Sequence, residues 1–431
     1  MDFLLATIGS HGDVHPYVGL GMRLRERGHR VRLITNGYFG PLVRAAGIDF
    51  IELGTAEEYI AIAQNPDMWH LRKAFKAVFG EVARLLPRLY DLIEQNLRND
   101  TIVVSSSLCL GARVAEDKLG FPHATIHLSP AVLRSVHEPP KLPGFTMPRW
   151  VPHSWQRALW NVLDATMIDP FIAPPVNELR AKLGLAPVKQ VLRDWWHAPR
   201  LTIGMWPSWF GPPPPDWPEQ LRLTGFPLFD ERGITPLNDR LIKFLDAGDP
   251  PVAFTPGSAM FRGQRFFKAA VDTCVRADVR GILLTRHGEH LPPALPDNVI
   301  HVDYAPFSEL LPRLGALVHH GGIGTSAQAM ACGTPQLVVT FTHDQPDNAH
   351  RMQRLGVART LPIARFNGRR GARFLRGLLD SPQTRNRCRE IARRFDGVDG
   401  LDDTCDLIET LAPCNPGGTG LQPLSGAART G

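Results

Sequence analysis

Ala316-Leu317-Val318-His319-His320-Gly321-Gly322-Ile323-Gly324-Thr325 reads as a strand, a glycine turn and the opening of a helix. A short apolar run suits a strand of a parallel sheet, covered on both faces. Glycines allow the tight turn. The helix that follows offers free N–H groups and the positive end of its dipole, which together attract an anion such as a diphosphate. Glycines also serve plain tight turns, so the turn alone is a weak signal. A second apolar run, Leu337 to Thr340, leads to His343-Asp344-Gln345. This acid–amide pair stands 24 and 25 residues beyond His320, and its two groups can together hold sugar hydroxyls. Asp344 ahead of Gln345-Pro346 also suits a helix N-cap.

The same alternation extends outward on both sides. Val252 to Thr255, Gly281 to Thr285 and Val299 to Val302 read as earlier strands of the second half. Thr255-Pro256-Gly257-Ser258 follows the first of them, and the Ser258 hydroxyl can donate to a phosphate oxygen. In the first half, strands are expected at Phe3 to Ile8, Val31 to Thr35, Ile48 to Leu53, Ile102 to Ser105 and His123 to Leu128. A helix starting at Pro16, another over Tyr38 to Ala46 and a helical stretch from about Trp69 to Leu97 separate them. Strand–helix alternation with short connections implies doubly wound parallel sheets, an α/β fold. Residues 130–220 are rich in Pro and Trp and read as an irregular insertion. Trp206 and Trp209 there are candidates to wall an apolar acceptor pocket or to touch a membrane surface. The expected division is a first domain over 1–228, a second over 229–412 and a disordered tail over 413–431.

The chain has 431 residues, more than one hydrophobic core usually serves, and 43% are apolar. With 48 Lys and Arg against 42 Asp and Glu, the net charge is +6, a mild bias toward anionic ligands or lipid headgroups. No dense basic run or nucleic-acid module is evident, so no nucleic-acid partner is expected. The six cysteines form no CxxC pair, which argues against a disulfide framework or zinc site and fits a reducing cytoplasm. No stretch approaches the roughly 20 apolar residues of a membrane span. A cytoplasmic protein is expected, at most peripheral to the inner face of the membrane.

Tyr304 to Asn348 resembles the donor signature of family 1 glycosyltransferases of the GT-B fold. That signature is an aromatic-x-Pro segment, a His-x-Gly-x-x-Ser/Thr turn and a closing Asp/Glu-Gln. The resemblance implies nucleobase stacking on Tyr304 and pyrophosphate binding by His320, Gly324 and Thr325. It also implies sugar binding by Asp344 and Gln345. Gln328 stands where many members carry a ribose-binding Glu. In the first half, Ile8-Gly9-Ser10-His11-Gly12-Asp13-Val14-His15-Pro16 resembles the first loop of bacterial and sterol-type members. Their Asp at the position of Asp13 is the catalytic base; here the residue also suits a turn or helix cap. His11 and His15 flank it as acceptor-side candidates.

The resemblance covers about residues 1–410 and is strongest to bacterial rhamnosyltransferase B chains of rhamnolipid synthesis. Pro139 to Pro143, Trp217-Pro218 and Thr224 to Asp230 carry that part of it. Those chains carry Pro where His320 stands, so His319, Gly322 and the backbone are expected to share the phosphate contact.

The implied reaction is an inverting displacement at the anomeric carbon of a dTDP-rhamnose- or UDP-glucose-type donor. Asp13 takes the proton of an acceptor hydroxyl. The acceptor is expected to be apolar or lipid-like, with hopanoid, sterol, carotenoid and polyketide also open. The resemblance implies no cofactor. No Asp-x-Asp pair is placed for a diphosphate, so no metal is expected, and helix end and donors carry the charge. Gly225 to Pro236 is the expected hinge. Two other readings are a GT-B-like sugar-nucleotide epimerase, without an acceptor pocket, and a non-catalytic nucleotide-sugar-binding protein.

Overall fold

Apolar runs such as Phe3-Leu4-Leu5-Ala6 and Ala316-Leu317-Val318 bury every side chain, because helices cover both faces of the sheets they build. The computed structural model describes residues 1–70, 73–148, 150–230, 236–258, 260 and 263–411. The first half runs β1 (Asp2–Ala6), α1 (His11–Glu26), β2 (Arg30–Thr35), α2 (Gly40–Ala45), β3 (Asp49–Glu52), α3 (Ala56–Gln64) and α4 (Ala74–Asn96). It continues with β4 (Thr101–Ser106), α5 (Leu110–Leu119), β5 (His123–His127), α6 (His153–Leu163), α7 (Asp169–Lys182), β6 (Leu201–Gly204) and β7 (Leu221–Leu223). Its seven strands pair in the order β3-β2-β1-β4-β5-β6-β7, all parallel.

The second half runs α8 (Asp239–Asp246), β8 (Val252–Thr255), α9 (Gln264–Ala277), β9 (Gly281–Leu284), β10 (Val299–Val302), α10 (Phe307–Leu310) and β11 (Ala316–His319). Then come α11 (Ile323–Ala331), β12 (Gln336–Thr340), α12 (Gln345–Leu355), β13 (Ala358–Pro362), α13 (Gly368–Leu379), α14 (Pro382–Ala392) and α15 (Gly400–Glu409). Its six strands pair in the order β10-β9-β8-β11-β12-β13, again all parallel. This is the expected pair of doubly wound parallel sheets. Strand order reverses between β1 and β4 in one sheet and between β8 and β11 in the other, and ligands of such sheets bind at those points, beyond the strand carboxyl ends.

Three features differ from the sequence reading. Residues 130–220 are not simply irregular: they supply α6, α7 and the strand β6, and lead into β7. Pro174 and Pro175 lie inside α7, which packing of Ile172, Val176 and Leu179 on the first-half core holds together. Helix α1 begins at His11, five residues before Pro16, so the loop after β1 is shorter than expected. The edge strand β13 is half-exposed and carries Arg359 and Thr360, so it lacks the continuous apolar run of a central strand.

The last helix returns to the first half. Leu401, Cys405, Ile408 and Leu411 of the α15 region join the core built by α1 and the first sheet. Arg23 pairs with Asp399, and Arg27 with Asp402, Asp406 and Glu409. Burial dominates here: an aliphatic side chain contributes about 1.5–3 kcal/mol, a partly exposed ion pair usually under ~1 kcal/mol. Where this helix meets the interdomain link, Gly400 touches the backbone of Gly225, and a Cβ at Gly400 would lie 2.3 Å from the Gly225 carbonyl. Although α15 falls within 229–412 by number, its contacts are therefore with the first half. Of the expected hinge, 231–235 lie outside the described residues, as does the tail 413–431.

Candidate active site

The glycine turn lies at the switch point of the second sheet. His319, the last residue of β11, pairs in register with Thr255 of β8, so the loops after both strands lie side by side. Gly257 has φ +94° in the first loop, and the His320 ring of the second packs against it. A Cβ at Gly257 would sit 2.8 Å from that ring, so glycine is required by both backbone and space. Ser258 beside it is exposed. His320 Nδ1 is buried without a hydrogen-bond partner, and burial pushes the imidazole down to about 4, so the ring is neutral near pH 7.

Helix α11 starts after Gly322 with no side chain capping it. The first-turn N–H groups of Ile323, Gly324 and Thr325 have no acceptor within the helix. This uncapped helix end is where the sequence reading expects an anion. His319 is different from expectation. It is fully buried, Nε2 bonds Gln336 Oε1 at 2.9 Å, and Nδ1 accepts the Gly321 N–H at 3.2 Å. Both ring nitrogens are committed, so His319 shapes the turn and has nothing left for a phosphate.

Asp344 and Gln345 open α12. Gln345 is 3% exposed, and its Oε1 accepts the Phe341 and Thr342 N–H groups at 2.7 and 3.2 Å. Its carbonyl thus fixes the loop, and its amide nitrogen is the group left to donate. Asp344 Oδ2 accepts from Asn348 Nδ2 at 2.7 Å. Burial, opposed by that bond and reinforced by the Asp13 carboxylate, pushes Asp344 up to about 6. The His343 ring beside Asp344 lies edge-on to Trp69 of the first half, with centroids 5.7 Å apart, which sets a first-half segment against this loop.

Asp13 is the third residue of α1. Its Oδ2 accepts the Ser10 N–H at 2.7 Å and the Ser10 hydroxyl at 3.1 Å. The cap role weighed from sequence is therefore real, and it leaves Oδ1 without a hydrogen-bond partner among the described residues. Burial raises its carboxyl above the ordinary Asp range. His11 and His15 lie edge-to-face, with centroids 5.4 Å apart. Burial first, then neighbouring cations, push them down to about 3 and about 4. Each is a weak base, whereas Asp13 has a raised basicity.

Arg286, two residues beyond β9, was not anticipated; the rule that ligands gather at strand carboxyl ends could have nominated it. It stacks on the Tyr304 ring with its guanidinium 5.0 Å from the centroid, and its charge reaches His11 and His15 across the cleft. Gln328 Nε2 donates to the Phe229 carbonyl of the interdomain link at 3.1 Å, leaving its Oε1 as the free acceptor. Trp206 is not a pocket wall: it is 0% exposed and packs on Trp217 in a core shared with Met330 and Met352. Trp209 stacks among Phe210, Phe226 and Phe395, with Arg394 over its ring. Both tryptophans pack where the two halves meet, Trp206 fully buried and Trp209 partly exposed.

Comparison with known proteins agrees with this geometry. Residues 3–144 match the glycosyltransferase family 28 N-terminal domain, and 269–395 match the erythromycin biosynthesis protein CIII-like C-terminal domain. The O-mycaminosyltylonolide 6-deoxyallosyltransferase of Streptomyces fradiae is 31% identical over 96% of this chain and 98% of its own. A sterol 3-beta-glucosyltransferase of Arabidopsis thaliana is 27% identical over 95% of this chain and 68% of its own. Among solved structures, the kitacinnamycin glycotransferase superposes with TM-score 0.72 at 22% identity, over 96% of this chain and 99% of its own. The spinosyn rhamnosyltransferase complexed with thymidine diphosphate gives 0.65 at 15%, over 95% of this chain and 100% of its own, a likeness of fold. Two parallel sheets, an open helix end facing a carboxylate loop and these matches together make the chain a member of the family 1 glycosyltransferases of the GT-B fold.

Proposed function

We propose that the protein moves a hexose of rhamnose or glucose type from a UDP- or dTDP-linked donor to a hydroxyl of an apolar, lipid-like acceptor, with inversion. The observation that carries this reading is the meeting of the two halves beside the open end of α11: Trp69 lies edge-on to His343 next to Asp344, and the charge of the half-buried Asp13 helps to raise Asp344. Asp344 and the Gln345 amide nitrogen hold sugar hydroxyls. The acceptor oxygen bonds to the anomeric carbon as the carbon–diphosphate bond breaks, and its proton passes to Asp13. The nucleoside diphosphate leaves with the electron pair. Its charge meets the N–H groups of α11, Thr325, Ser258 and the His320 ring, a preorganised set that needs no metal ion. Tyr304 supports the base, and Gln328 Oε1 accepts from the ribose.

A sterol glucosyltransferase and a tylonolide-type transferase among the relatives favour an apolar acceptor. So does the outer face of α6, where Trp155, Leu159 and Val162 lie exposed at i, i+4 and i+7. These side chains suit peripheral contact with the inner face of a membrane, which vesicle flotation reads. Among the described residues no helix is long and apolar enough to cross a membrane.

The test is a donor panel (dTDP-rhamnose, dTDP-glucose, UDP-glucose, UDP-glucuronate) against hydroxy fatty acids, sterols and macrolide aglycones, with and without EDTA. Mass spectrometry is expected to show a hexoside whose yield EDTA leaves unchanged, and NMR an inverted anomeric centre. Rapid 2-epimerisation of a UDP-sugar without acceptor would overturn the transferase reading in favour of an epimerase.

A further inference from the structure

Asn348 stands where both halves of the molecule reach the sugar-side carboxylate. It lies in the first turns of α12 and is 0% exposed. Its amide uses all its main valences on three different segments. Nδ2 donates to Asp344 Oδ2 at 2.7 Å and to the carbonyl of Gly321, in the glycine turn, at 3.0 Å. Oδ1 accepts the Ser129 hydroxyl at 3.1 Å, from a residue 219 positions earlier, just beyond β5 in the other half. Ser129 Oγ itself accepts the Ala131 N–H at 3.4 Å, which leaves its proton for Asn348.

This arrangement has one workable orientation. Two acceptors face the amide nitrogen and one hydroxyl donor faces the amide oxygen. A flipped amide would set its oxygen against the Asp344 carboxylate and the Gly321 carbonyl, both acceptors. The two acceptors fix this orientation, and the Ser129 hydroxyl is the donor that satisfies the amide oxygen. Without it, a buried amide oxygen loses its partner, and such groups are costly to leave unpaired. The rest of α12 is tied to the same half: the Lys141 N–H donates to Asp347 Oδ1 at 2.9 Å, and Arg351, bonded to Asp347 at 2.6 Å, donates to the Phe210 carbonyl at 3.3 Å.

Resting on the transfer reading above, we propose that the Ser129–Asn348 bond couples the seating of the first half to the aim of Asp344. Asn348 is a positioning residue, acting on the sugar through Asp344. Ser129 is its sensor in the acceptor-bearing half. The sugar is then gripped only when both halves are in place.

Calorimetric affinities for a nucleotide sugar and for the bare nucleoside diphosphate test this in wild type, S129A, S129T, N348A and S129A/N348A, with Tm measured alongside. S129A and N348A are expected to weaken nucleotide-sugar binding about tenfold, the scale of one lost hydrogen bond, and to leave diphosphate binding within about twofold. S129T, which keeps the hydroxyl, stays near wild type, and the double variant is no worse than N348A alone. The acid limb of donor kcat/KM moves to higher pH in S129A, because the ionised Asp344 loses its oriented partner. Equal weakening of both ligands, additive losses in the double variant, or a lowered Tm with unchanged affinities overturns the coupling. A wild type that binds no nucleotide sugar overturns the transfer reading and the coupling with it; a wild type that binds it while S129A matches wild type overturns the coupling alone.

Discussion

The N-termini of α1 and α11 are built alike and used in opposite ways. Each follows a strand that borders its sheet's switch point, and each carries a polar side chain at its third position, Asp13 in one and Thr325 in the other. In α1 the chain closes its own end: Asp13 takes the Ser10 N–H and hydroxyl. In α11 the cap is Gly322, no side chain closes the end, and the first-turn N–H groups stay available. A helix N-terminus attracts negative charge in either case. What differs is whether that charge is a resident carboxylate or, in the proposed reaction, a visiting diphosphate. The resident carboxylate is also kept basic, since burial raises Asp13.

The sharpest way to break this comparison is to remove the resident charge. Asp13→Asn is expected to lower kcat by about 10³-fold, within the range of general-base contributions, while donor affinity holds. Steady-state kinetics with a calorimetric donor titration reads both; transfer at the wild-type rate would strip Asp13 of its role. The converse change makes α11 resemble α1. Thr325→Asp supplies a carboxylate where Asp13 sits in the other helix. It is expected to weaken nucleoside-diphosphate binding about 100-fold, while Tm holds or rises, because an acidic third residue favours a helix start. Unchanged diphosphate affinity would show that the open N-terminus is not the anion site.

A milder probe is pH. Asp344 sits at about 6 and Asp13 is raised, both first through burial, so both lose charge as pH falls. Donor kcat/KM is expected to be level above about pH 7 and to fall roughly tenfold per unit below about pH 6. The two carboxylates titrate as a coupled pair. With Asp13→Asn the repulsion on Asp344 disappears, and any residual activity should keep its acid limb at lower pH. A limb that stays in place would uncouple the two loops.

The strands and the two sheets were legible because buried parallel strands must be apolar on both faces, and that leaves contiguous runs such as Val252 to Thr255. The loops at the carboxyl ends of β8, β11 and β12 were legible because their glycine, hydroxyl and acid–amide chemistry is local in sequence. Errors arose where a partner lies far along the chain. His319 reads as a ligand until Gln336, on the neighbouring strand, takes its Nε2. Trp206 reads as a pocket wall because bulk and polarity are the same in a pocket and in a domain interface; its contact with Trp217 and burial decide between them. Asn348 lies four residues from Asp344, a spacing that a helix places on one face, so half its role was readable. The other half, Ser129, depends on how two separate sheets meet. Prolines within α7 hid a helix whose stability comes from packing rather than local propensity.

The return of α15 to the first half means that the backbone crosses between the halves twice. The two crossings touch at Gly225 and Gly400. Both connections between the halves therefore run side by side. The same threading sets a rule for recombination with relatives. A chimera cut once in the link loses Asp399, Asp402, Asp406 and Glu409, the carboxylates that match Arg23 and Arg27. A second cut before Gly400 returns the native helix to its own core.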